Sequence, residues 1–261
     1  MQPPEPLPTL LARFDLDRLR RGYATDGYFI LPAVIPSEHL ELLRRVSRQA
    51  IADMDAEMDR QGTAVLGINH KGKRYFVGQS WRQHPELGDF LFSDLMADIA
   101  RVTLGDTVYL HNDQFVVKCE KEGMKFSWHQ DGAYVHARIG HHPECITCWC
   151  ALDDVTESNG TIYVLPASRF GSRELVPHTK DPGSNDRVGY FGPDSGDPVI
   201  APAGSIAVFA STVFHRSGAN PSGAPRRAYL AQYAPVPLHN RPGEFPQYFA
   251  APFLAEGRRV R

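Results

Sequence analysis

The chain has 261 residues, of which 42% are hydrophobic, 22% charged and 10% aromatic. These fractions are typical of a folded globular protein and exclude an intrinsically disordered chain. Its 28 Lys and Arg residues against 30 Asp and Glu residues give a formal net charge of −2, which excludes a global field that attracts nucleic acid or an anionic membrane. We therefore expect neither of these as a partner.

The length suits one domain spanning residues 1–261, with a loose Pro-rich tail at residues 1–8. We find no run of about 18 apolar residues that would cross a membrane, and the N-terminal sequence lacks the basic and apolar regions of a secretory signal. Three of the four cysteines lie in the stretch CITCWC, and all are expected to be free thiols. The expected location is cytoplasmic.

Helices are predicted in the first third of the chain. A short helix ends at Gly27, and an apolar strand follows over residues 28–35. The next helix is long and amphipathic, with Ser37 as its cap. A further helix begins after the cap Ser93 and ends at Gly105.

From Asp106 onward, short β-rich runs alternate with turns. The runs are TVYLHNDQFVVK, ECITCWCALDDV, GTIYVLPAS, SIAVFAS and RRAYLAQYAPV. This pattern predicts a mainly β fold, a sandwich or barrel, with flanking α-helices from the first third of the chain. The connection at residues 168–198 is rich in Gly, Pro, Asp and Ser, and its length predicts a lid or binding loop.

The stretch WHQDGAY, residues 128–134, carries the first functional signal. Side chains alternate between faces in an extended segment, so His129 and Asp131 project to the same side and can bind one ion. A third ligand would complete the two-His, one-carboxylate face of non-haem Fe(II) enzymes, which leaves positions open for substrate and O₂. The stretch contains no thiolate, which disfavours structural zinc. Taken alone, a His-x-Asp pair more often serves as a surface hydrogen-bonding group.

His215 is the best-placed third ligand, because it follows the apolar run SIAVFA at the end of a predicted core strand. Eleven residues later, Arg226 begins the β-like run RRAYLAQY. A guanidinium at the start of an inward-facing strand is costly to bury unless an anion meets it, and its fork suits a carboxylate. Arg227 is the rival, although it projects to the opposite face of the strand.

Four stretches are spread over most of the chain, from residue 27 to residue 230. They are GYFILPAVIPSEHLELL, WHQDGAY, WCALDDVTESNGTIYVLPAS and PAGSIAVFASTVFHRSGANPSGAPRRAYL. In this order and combination the sequence resembles the phytanoyl-CoA dioxygenase family of Fe(II)- and 2-oxoglutarate-dependent oxygenases. The resemblance implies a double-stranded β-helix, a jelly-roll or cupin-like barrel whose mouth holds the metal. It also implies that O₂ oxidises a C–H bond of a small-molecule substrate while 2-oxoglutarate yields succinate and CO₂.

By the same resemblance, His129, Asp131 and His215 bind Fe(II). Arg226 takes the distal carboxylate of the cosubstrate, 2-oxoglutarate. The other candidates for binding the cosubstrate are Ser217, Trp149 and Gln114. For Trp149, filling the β core is an equally good interpretation.

Asp131 also bears on the type of reaction. Relatives that chlorinate carbon lack this carboxylate and leave room for halide, so its presence favours hydroxylation, while desaturation, ring formation and epoxidation remain open. The alternative function is a non-catalytic, metal-binding cupin-like barrel that acts as a metabolite-binding or scaffold protein. The complete set of three metal ligands and the presence of Arg226 argue against this alternative. A monomer and a homodimer both fit the sequence.

Several polar and aromatic residues flank the metal-binding stretch. The candidates for substrate contact are Lys73, Arg74, Phe126, Tyr134 and His136, with Lys71 and Arg138 near them. A solvated charged turn is the simpler interpretation of at least two of the three cations in NHKGKRYF, and barrel packing explains several of the others. A zinc site in HARIGHHPECITCWC is a weaker interpretation than a buried strand, because free Cys behaves as a small hydrophobe.

Overall fold

The computed structural model describes residues 14–121, 123–182, 184, 186–239 and 249–261. The tail predicted at residues 1–8 lies outside these described residues. The helices are α1 (Leu16–Asp26), α2 (Ser37–Gln61), α3 (Gly88–Leu91), α4 (Asp94–Thr103), α5 (Asp131–Ile139) and α6 (Ala167–Phe170), with 3₁₀ turns at Ser80–Arg82, Pro85–Leu87 and Glu157–Asn159. Within the described residues, none of the helices is both long enough and apolar enough to cross a membrane.

The helix ends follow the predicted signals with one exception. Gly27 adopts a left-handed conformation with φ of 76° and donates its N–H to the carbonyl of Tyr23, which closes α1. Ser93 caps α4, and its hydroxyl accepts from the N–H of Met96. The cap predicted at Ser37 is wrong, because α2 already begins at that residue and no side chain caps the helix.

The strands are β1 (Tyr28–Leu31), β2 (Val65–Leu66), β3 (Asn69–His70), β4 (Arg74–Gly78), β5 (Val108–Lys118), β6 (Phe126–His129), β7 (Ile146–Ala151), β8 (Ile162–Leu165), β9 (Thr179–Lys180), β10 (Arg187–Val188), β11 (Asp197–Pro198), β12 (Ile206–Ala210), β13 (Phe214–Ser217), β14 (Arg226–Ala234), β15 (Ala251–Ala255) and β16 (Arg258–Arg259). Over the described residues, ten of these strands form one antiparallel sheet in the order β1-β12-β7-β14-β5-β4-β3-β2, with β15 beside β5 and β16 beside β15. The second sheet has the order β11-β8-β13-β6. This architecture confirms the predicted mainly β fold with flanking helices.

The large sheet is held by burial on both of its faces. Every residue of β7 and β12 is buried, so these strands lack the alternation of a half-exposed sheet. Leu43 of α2 and Ile99 of α4 belong to the same buried cluster as Phe209 of β12. Since each fully buried side chain of this kind contributes about 1.5–3 kcal/mol, packing of the helices against the sheet stabilises the fold.

The connection at residues 168–198 has some regular structure, because it contains β9, β10 and β11. Asp186 within it forms an ion pair of 2.8 Å with Arg74 at the start of β4. The N–H of Gly189 donates to the carbonyl of Trp128 in β6 at 3.0 Å. These contacts join the connection to the large sheet through Arg74 and to the small sheet through Trp128, and its closure as a lid stays a prediction.

Candidate active site

Strand pairing brings the two predicted histidine ligands together. His129 is the last residue of β6 and His215 is the second residue of β13, and the two are direct partners in the antiparallel register. Their ring centroids lie 4.1 Å apart. Side chains of residues directly opposite each other emerge on the same face of a sheet, which explains how positions 86 residues apart in the sequence meet.

Asp131 reaches the histidines from a different element than the sequence predicted. The strand ends at His129, Gln130 is still extended with φ of −112° and ψ of 130°, and Asp131 is the first residue of α5. The expectation that both ligands lie within one strand is therefore wrong, although the extended Gln130 keeps the two side chains on one side. The Asp131 Oδ1 atom lies 3.5 Å from Nε2 of His129 and 3.6 Å from Nε2 of His215.

Hydrogen bonds fix the orientation of both imidazole rings. Nδ1 of His129 donates to the carbonyl of Ser127 at 2.9 Å, and Nδ1 of His215 donates to the carbonyl of Val213 at 3.2 Å. Because a carbonyl only accepts, these contacts select the tautomer whose Nε2 carries the free lone pair. Each Nε2 then faces Asp131.

The carboxylate of Asp131 is oriented in the same way. Its Oδ2 accepts hydrogen bonds from the hydroxyl of Thr147 at 2.5 Å and from the amide of Gln232 at 3.1 Å. Thr147 and Gln232 are cross-strand partners in β7 and β14. These contacts leave Oδ1 facing the two rings, and second-layer partners of this kind fix ligand geometry in metal sites.

Electrostatics puts the ligands in the protonation states that a metal requires. Burial raises the pKa of Asp131, but the interactions with His215 and His129 and the hydrogen bond from Thr147 outweigh it, so this pKa lies below its ordinary value. Burial, together with the nearby His129, lowers the pKa of His215 to about 4. At neutral pH the site therefore offers a carboxylate and a neutral imidazole, and both can bind a cation without losing a proton.

The donor set fits ferrous iron. One ligand atom from each of His129, Asp131 and His215 lies within 4.8 Å of the other two, and two imidazoles with one carboxylate form the face used by non-haem Fe(II) oxygenases. Among the described residues, this is the one group of three or more His, Cys, Asp or Glu side chains arranged to hold an ion. The zinc alternative finds no support there, and the Nε2 atom of His142 lies 2.8 Å from the hydroxyl of Ser211.

Arg226 begins β14, as predicted, and is fully buried. One Nη2 hydrogen bond to the carbonyl of Gly160 measures 3.0 Å, while Nε and Nη1 have no hydrogen-bond partner among the described residues. Burial lowers the pKa of Arg226 to about 10, which still leaves it charged at neutral pH. Its guanidinium lies 5.4 Å from the centroid of the Trp149 ring.

The rival guanidinium is already engaged. Arg227 forms two hydrogen bonds to the carboxylate of Asp153, from Nε at 2.9 Å and from Nη2 at 2.6 Å. This bidentate pair lies on the other face of the strand. The geometry therefore favours Arg226 over Arg227 as the group that meets an incoming carboxylate.

The two remaining cosubstrate candidates lie on different sheets. Ser217 is the last residue of β13, buried, and opposite Phe126 of β6. Gln114 is in β5, opposite Leu230 of β14, and lines the cavity in front of the metal ligands. They thus approach the metal-binding residues from opposite sheets.

A cavity of about 530 Å³ opens between the two sheets and reaches His129 and Asp131. Phe126 and Tyr134 line it, with ring centroids 4.6 Å and 5.8 Å from that of His129. Arg138 lines it as well, whereas His136 is exposed and is not among the described residues around the cavity. Of the aromatic candidates, two therefore adjoin the metal-binding residues.

The charged turn before β4 separates into exposed and buried cations. Lys73 is exposed in the turn, and Lys71 pairs with Asp59 of α2. Arg74 is 1% exposed, and besides its ion pair with Asp186 it donates to the carbonyls of Ile68, Lys125 and Ser184. Its guanidinium is thus bound by the protein itself.

Three further residues at the site escaped the sequence analysis. Thr147 and Gln232 hold Asp131, and Lys118 lies buried at the end of β5, directly opposite Arg226. Thr147 and Gln232 sit inside apolar strand runs and carry no local signal. Lys118 ends the run TVYLHNDQFVVK, and a lysine at a strand end is ordinarily solvated.

Comparison with known proteins agrees with this geometry. The sequence profile of the family described as phytanoyl-CoA dioxygenase (PhyH) matches residues 23–228. The chain belongs to this family. Family membership, together with the relatives and solved structures below, confirms the prediction of an iron- and 2-oxoglutarate-dependent dioxygenase.

Two curated relatives illustrate the range of the family. An ectoine dioxygenase of Sphingopyxis alaskensis is 24% identical over 233 residues, which cover 83% of this chain and 75% of the relative. An L-proline trans-4-hydroxylase of Streptomyces griseoviridis is 30% identical over 159 residues, which cover 53% of this chain and 59% of the relative.

Solved structures show the same fold. The carbocyclase SnoK from nogalamycin biosynthesis, described as non-haem and α-ketoglutarate dependent, superposes with a TM-score of 0.66 at 20% identity, covering 97% of this chain and 98% of that one. EctD from Sphingopyxis alaskensis, solved with 2-oxoglutarate and 5-hydroxyectoine, gives a TM-score of 0.65 at 22% identity, covering 91% and 80%. These likenesses confirm the jelly-roll architecture.

Proposed function

We propose that this protein oxidises a C–H bond of a small-molecule substrate by hydroxylation, with iron held by His129, Asp131 and His215. The observation that carries the proposal is the convergence of the three ligand atoms within 4.8 Å, with a buried guanidinium that lacks an anion. Two histidines and one carboxylate that bind a metal are compatible with many reactions. The additional buried guanidinium, which lacks an anionic partner, favours an acidic cosubstrate.

Arg226 is the residue that we assign to the distal carboxylate of 2-oxoglutarate. Two of its nitrogens have no hydrogen-bond partner among the described residues, and a carboxylate accepts from two guanidinium N–H groups at once. The Trp149 ring, 5.4 Å from the guanidinium carbon, forms an apolar wall beside it. Ser217 and Gln114 are the further polar groups that we place around the cosubstrate.

An iron ion bound at the three ligands supplies the activation of O₂ that the oxidation needs. The protein's own contribution is placement. Thr147 and Gln232 fix Asp131, and the backbone carbonyls of Ser127 and Val213 fix the histidine rings. Phe126 and Tyr134 place aromatic rings beside His129 at the wall of the cavity.

The substrate side is consistent with a small molecule. The cavity of about 530 Å³ lies in the range of sites that bind small ligands, and the relatives include enzymes named for ectoine, L-proline and hypophosphite. The carboxylate ligand Asp131 supports hydroxylation rather than halogenation. Four free cysteines support a cytoplasmic location, and a monomer or homodimer is the assembly that we propose.

The test is formation of succinate from 2-oxoglutarate with Fe(II) and O₂, first without added substrate and then with a panel of small molecules. We expect slow succinate release alone and faster release with a substrate. His129→Ala should abolish both, whereas Arg48→Gln, an exposed change on α2, should abolish neither. A non-catalytic barrel, the alternative function, would produce no succinate under any of these conditions.

A further inference from the structure

Gln130 lies between the ligands His129 and Asp131, and its side chain points away from theirs. The backbone of Gln130 is extended, with φ of −112° and ψ of 130°, and consecutive side chains of an extended segment project to opposite sides. Gln130 is fully buried, although its carboxamide is polar. Since a buried carboxamide requires hydrogen-bond partners, the partners of Gln130 identify the parts of the chain that it connects.

The carboxamide of Gln130 bonds three backbone groups. Its Nε2 donates to the carbonyl of Thr212 at 2.5 Å and to the carbonyl of Glu174 at 2.8 Å. Its Oε1 accepts from the N–H of Val176 at 3.0 Å. Two carbonyls require a donor and one N–H requires an acceptor, and a carboxamide supplies both. An ionised glutamate would offer no donor, and an apolar side chain would leave all three groups unpaired.

Thr212 belongs to the turn between β12 and β13, directly before the third ligand. The carbonyl of Thr212 accepts from Gln130, and the carbonyl of the next residue, Val213, accepts from Nδ1 of His215 at 3.2 Å. Adjacent carbonyls of one turn therefore bind the residue between the first two ligands and the ring of the third ligand. Through this turn, Gln130 links the two parts of the metal site.

The direct pairing of the two ligand strands is irregular at this point. His215 of β13 lies opposite His129 of β6, whereas Ser217 lies opposite Phe126, so a step of two residues on one strand corresponds to three on the other. An extra residue in one strand bends that strand and interrupts the hydrogen-bond ladder. The bond from Gln130 to the turn therefore supplements the strand pairing that sets the spacing of the ligands.

Gln130 also binds the long connection that follows β8. Its contacts there are with alternate residues of one segment, Glu174, Val176 and His178, which we call the rear segment (residues 174–178). The backbone N–H of Gln130 donates to Nε2 of His178 at 3.0 Å, while Nδ1 of His178 donates to the carbonyl of Val176 at 2.8 Å. The lone pair of this imidazole is thus engaged by the protein and is not available to a metal.

We propose that Gln130 is a positioning residue of the metal site and that it couples iron binding to the order of the rear segment. Its hydrogen bonds fix the backbone between His129 and Asp131 against the turn before His215 and against the rear segment at the same time. Partners of this kind around metal ligands control metal affinity. Coupling is reciprocal, so iron that orders the ligands also orders the rear segment. The inference rests on the proposed iron site.

The first experiment uses the natural protein and Fe(II) alone, without O₂. Hydrogen exchange followed by mass spectrometry compares the apoprotein with the iron-bound protein. We expect iron to slow exchange in the rear segment about tenfold, and to leave the exposed end of α2, residues 53–61, unchanged. Equal exchange in the rear segment with and without iron overturns the coupling. An apoprotein that binds no Fe(II) counts instead against the proposed iron site.

Gln130→Met keeps the length of the side chain and removes the three hydrogen bonds of the carboxamide. We expect the dissociation constant of Fe(II), from titration of the apoprotein without O₂, to rise about tenfold. The protection of the rear segment by iron should disappear. Gln49→Met is the matched control, because this exposed glutamine of α2 bonds Asp53, and it should change neither quantity. A purely structural role of Gln130 would lower stability to urea but leave iron affinity and protection unchanged, which overturns the proposal.

His178→Ala is a milder variant that decides the question if Gln130→Met does not fold. It removes the acceptor of the Gln130 backbone N–H and keeps the three bonds of the carboxamide. We expect the dissociation constant of Fe(II) to rise about threefold, and the protection of the rear segment by iron to decrease. Iron affinity and protection that both equal those of the natural protein would contradict the assignment.

Discussion

Two buried arginines, Arg74 and Arg226, occupy equivalent positions in the large sheet but differ in the bonding partners that surround them. Each is the first residue of its strand, and each is paired with Lys118 of β5 from opposite sides. Arg74 has an ion pair with Asp186 and three carbonyl acceptors. Arg226 has one carbonyl and two nitrogens that lack partners among the described residues.

The comparison teaches that burial of a cation does not by itself reveal its role. Arg74 is already compensated, so its charge stabilises the fold. Burial of the Arg226 guanidinium costs desolvation free energy that its contacts with the described residues do not offset. A bound anion offsets this cost. Lys118 between them is buried as well, and burial and the charges of Arg226 and Arg74 lower its pKa. Of these three cations, Arg226 is therefore the one whose contacts favour binding of a carboxylate.

The largest expected effect concerns stability and Arg74. Arg74→Met leaves the carboxylate of Asp186 buried without its partner, so we expect the free energy of unfolding to fall by about 3–5 kcal/mol. Urea denaturation followed by circular dichroism measures it. The double variant Arg74→Met/Asp186→Leu should be less destabilised than the sum of the two single changes. Strict additivity would show that the pair does not interact.

Next in size is the effect of Arg226 on the cosubstrate. Arg226→Met removes the charge-assisted hydrogen bonds to a carboxylate, and we expect the half-saturating concentration of 2-oxoglutarate to rise about 100-fold. The free energy of unfolding should stay the same or increase, because an uncompensated buried charge is lost. The comparison therefore predicts that the free energy of unfolding falls in the Arg74 variant and does not fall in the Arg226 variant. Unchanged cosubstrate affinity would remove Arg226 from the site.

A smaller effect concerns the residues that orient Asp131. Thr147→Val keeps the volume of the side chain but removes the hydrogen bond to Oδ2, and we expect iron to bind about tenfold more weakly. Titration of the apoprotein with Fe(II) without O₂ measures the affinity. Thr212→Val is the control, because the Thr212 hydroxyl bonds Glu144 instead. Equal iron affinity in both variants would show that Thr147 plays no part in the metal site.

The effect of Asp113 on the free energy of unfolding changes gradually with pH, because burial of this carboxyl shifts its pKa into the range between pH 4 and pH 8. Burial raises the pKa of Asp113 to about 7, whereas an unfolded Asp titrates near 4. Between these two values the unfolded chain loses the proton and the folded protein keeps it. Stability therefore falls as pH rises through this window, by at most about 1.4 kcal/mol per pH unit, and levels off above the folded pKa.

Asp113→Asn should remove this slope. Unfolding free energies of both proteins at several pH values between 4 and 8 provide the measurement. We expect the variant to gain stability relative to the natural protein as pH rises from 4 to 7. A difference that is independent of pH would mean that the carboxyl is ionised in the folded protein throughout.

The sequence predicted the parts of the fold that have local signals. The left-handed cap at Gly27, the hydroxyl cap at Ser93 and the apolar β runs follow from short-range chemistry. The strand-to-helix change after His129 was missed, because Gln130 is extended and so places position 131 on the side of position 129 whether a strand or a helix follows. Helix α5 is stabilised by its tertiary contacts, among them the bond from the N–H of Gly132 to the carbonyl of Ser211.

The sequence identified the three candidate ligands that the structure brings together, but not the residues of other strands that orient Asp131. His215 was found because it follows the apolar run SIAVFA, although the structure places it in β13 and not at the end of β12. Thr147 and Gln232 were missed, since the register that places them beside Asp131 is set by pairing between strands far apart in the sequence. Arg74 was grouped with exposed lysines because its partner Asp186 lies 112 residues away.

The most direct test is a crystal structure from crystals grown without O₂ in the presence of Fe(II) and 2-oxoglutarate. Anomalous diffraction data are collected at the iron absorption edge. We predict a single iron peak bound by Nε2 of His129, Nε2 of His215 and a carboxylate oxygen of Asp131, with the distal carboxylate of 2-oxoglutarate on the guanidinium of Arg226. An iron peak away from any of the three ligands, or a cosubstrate that leaves Arg226 without an anion, would contradict this account.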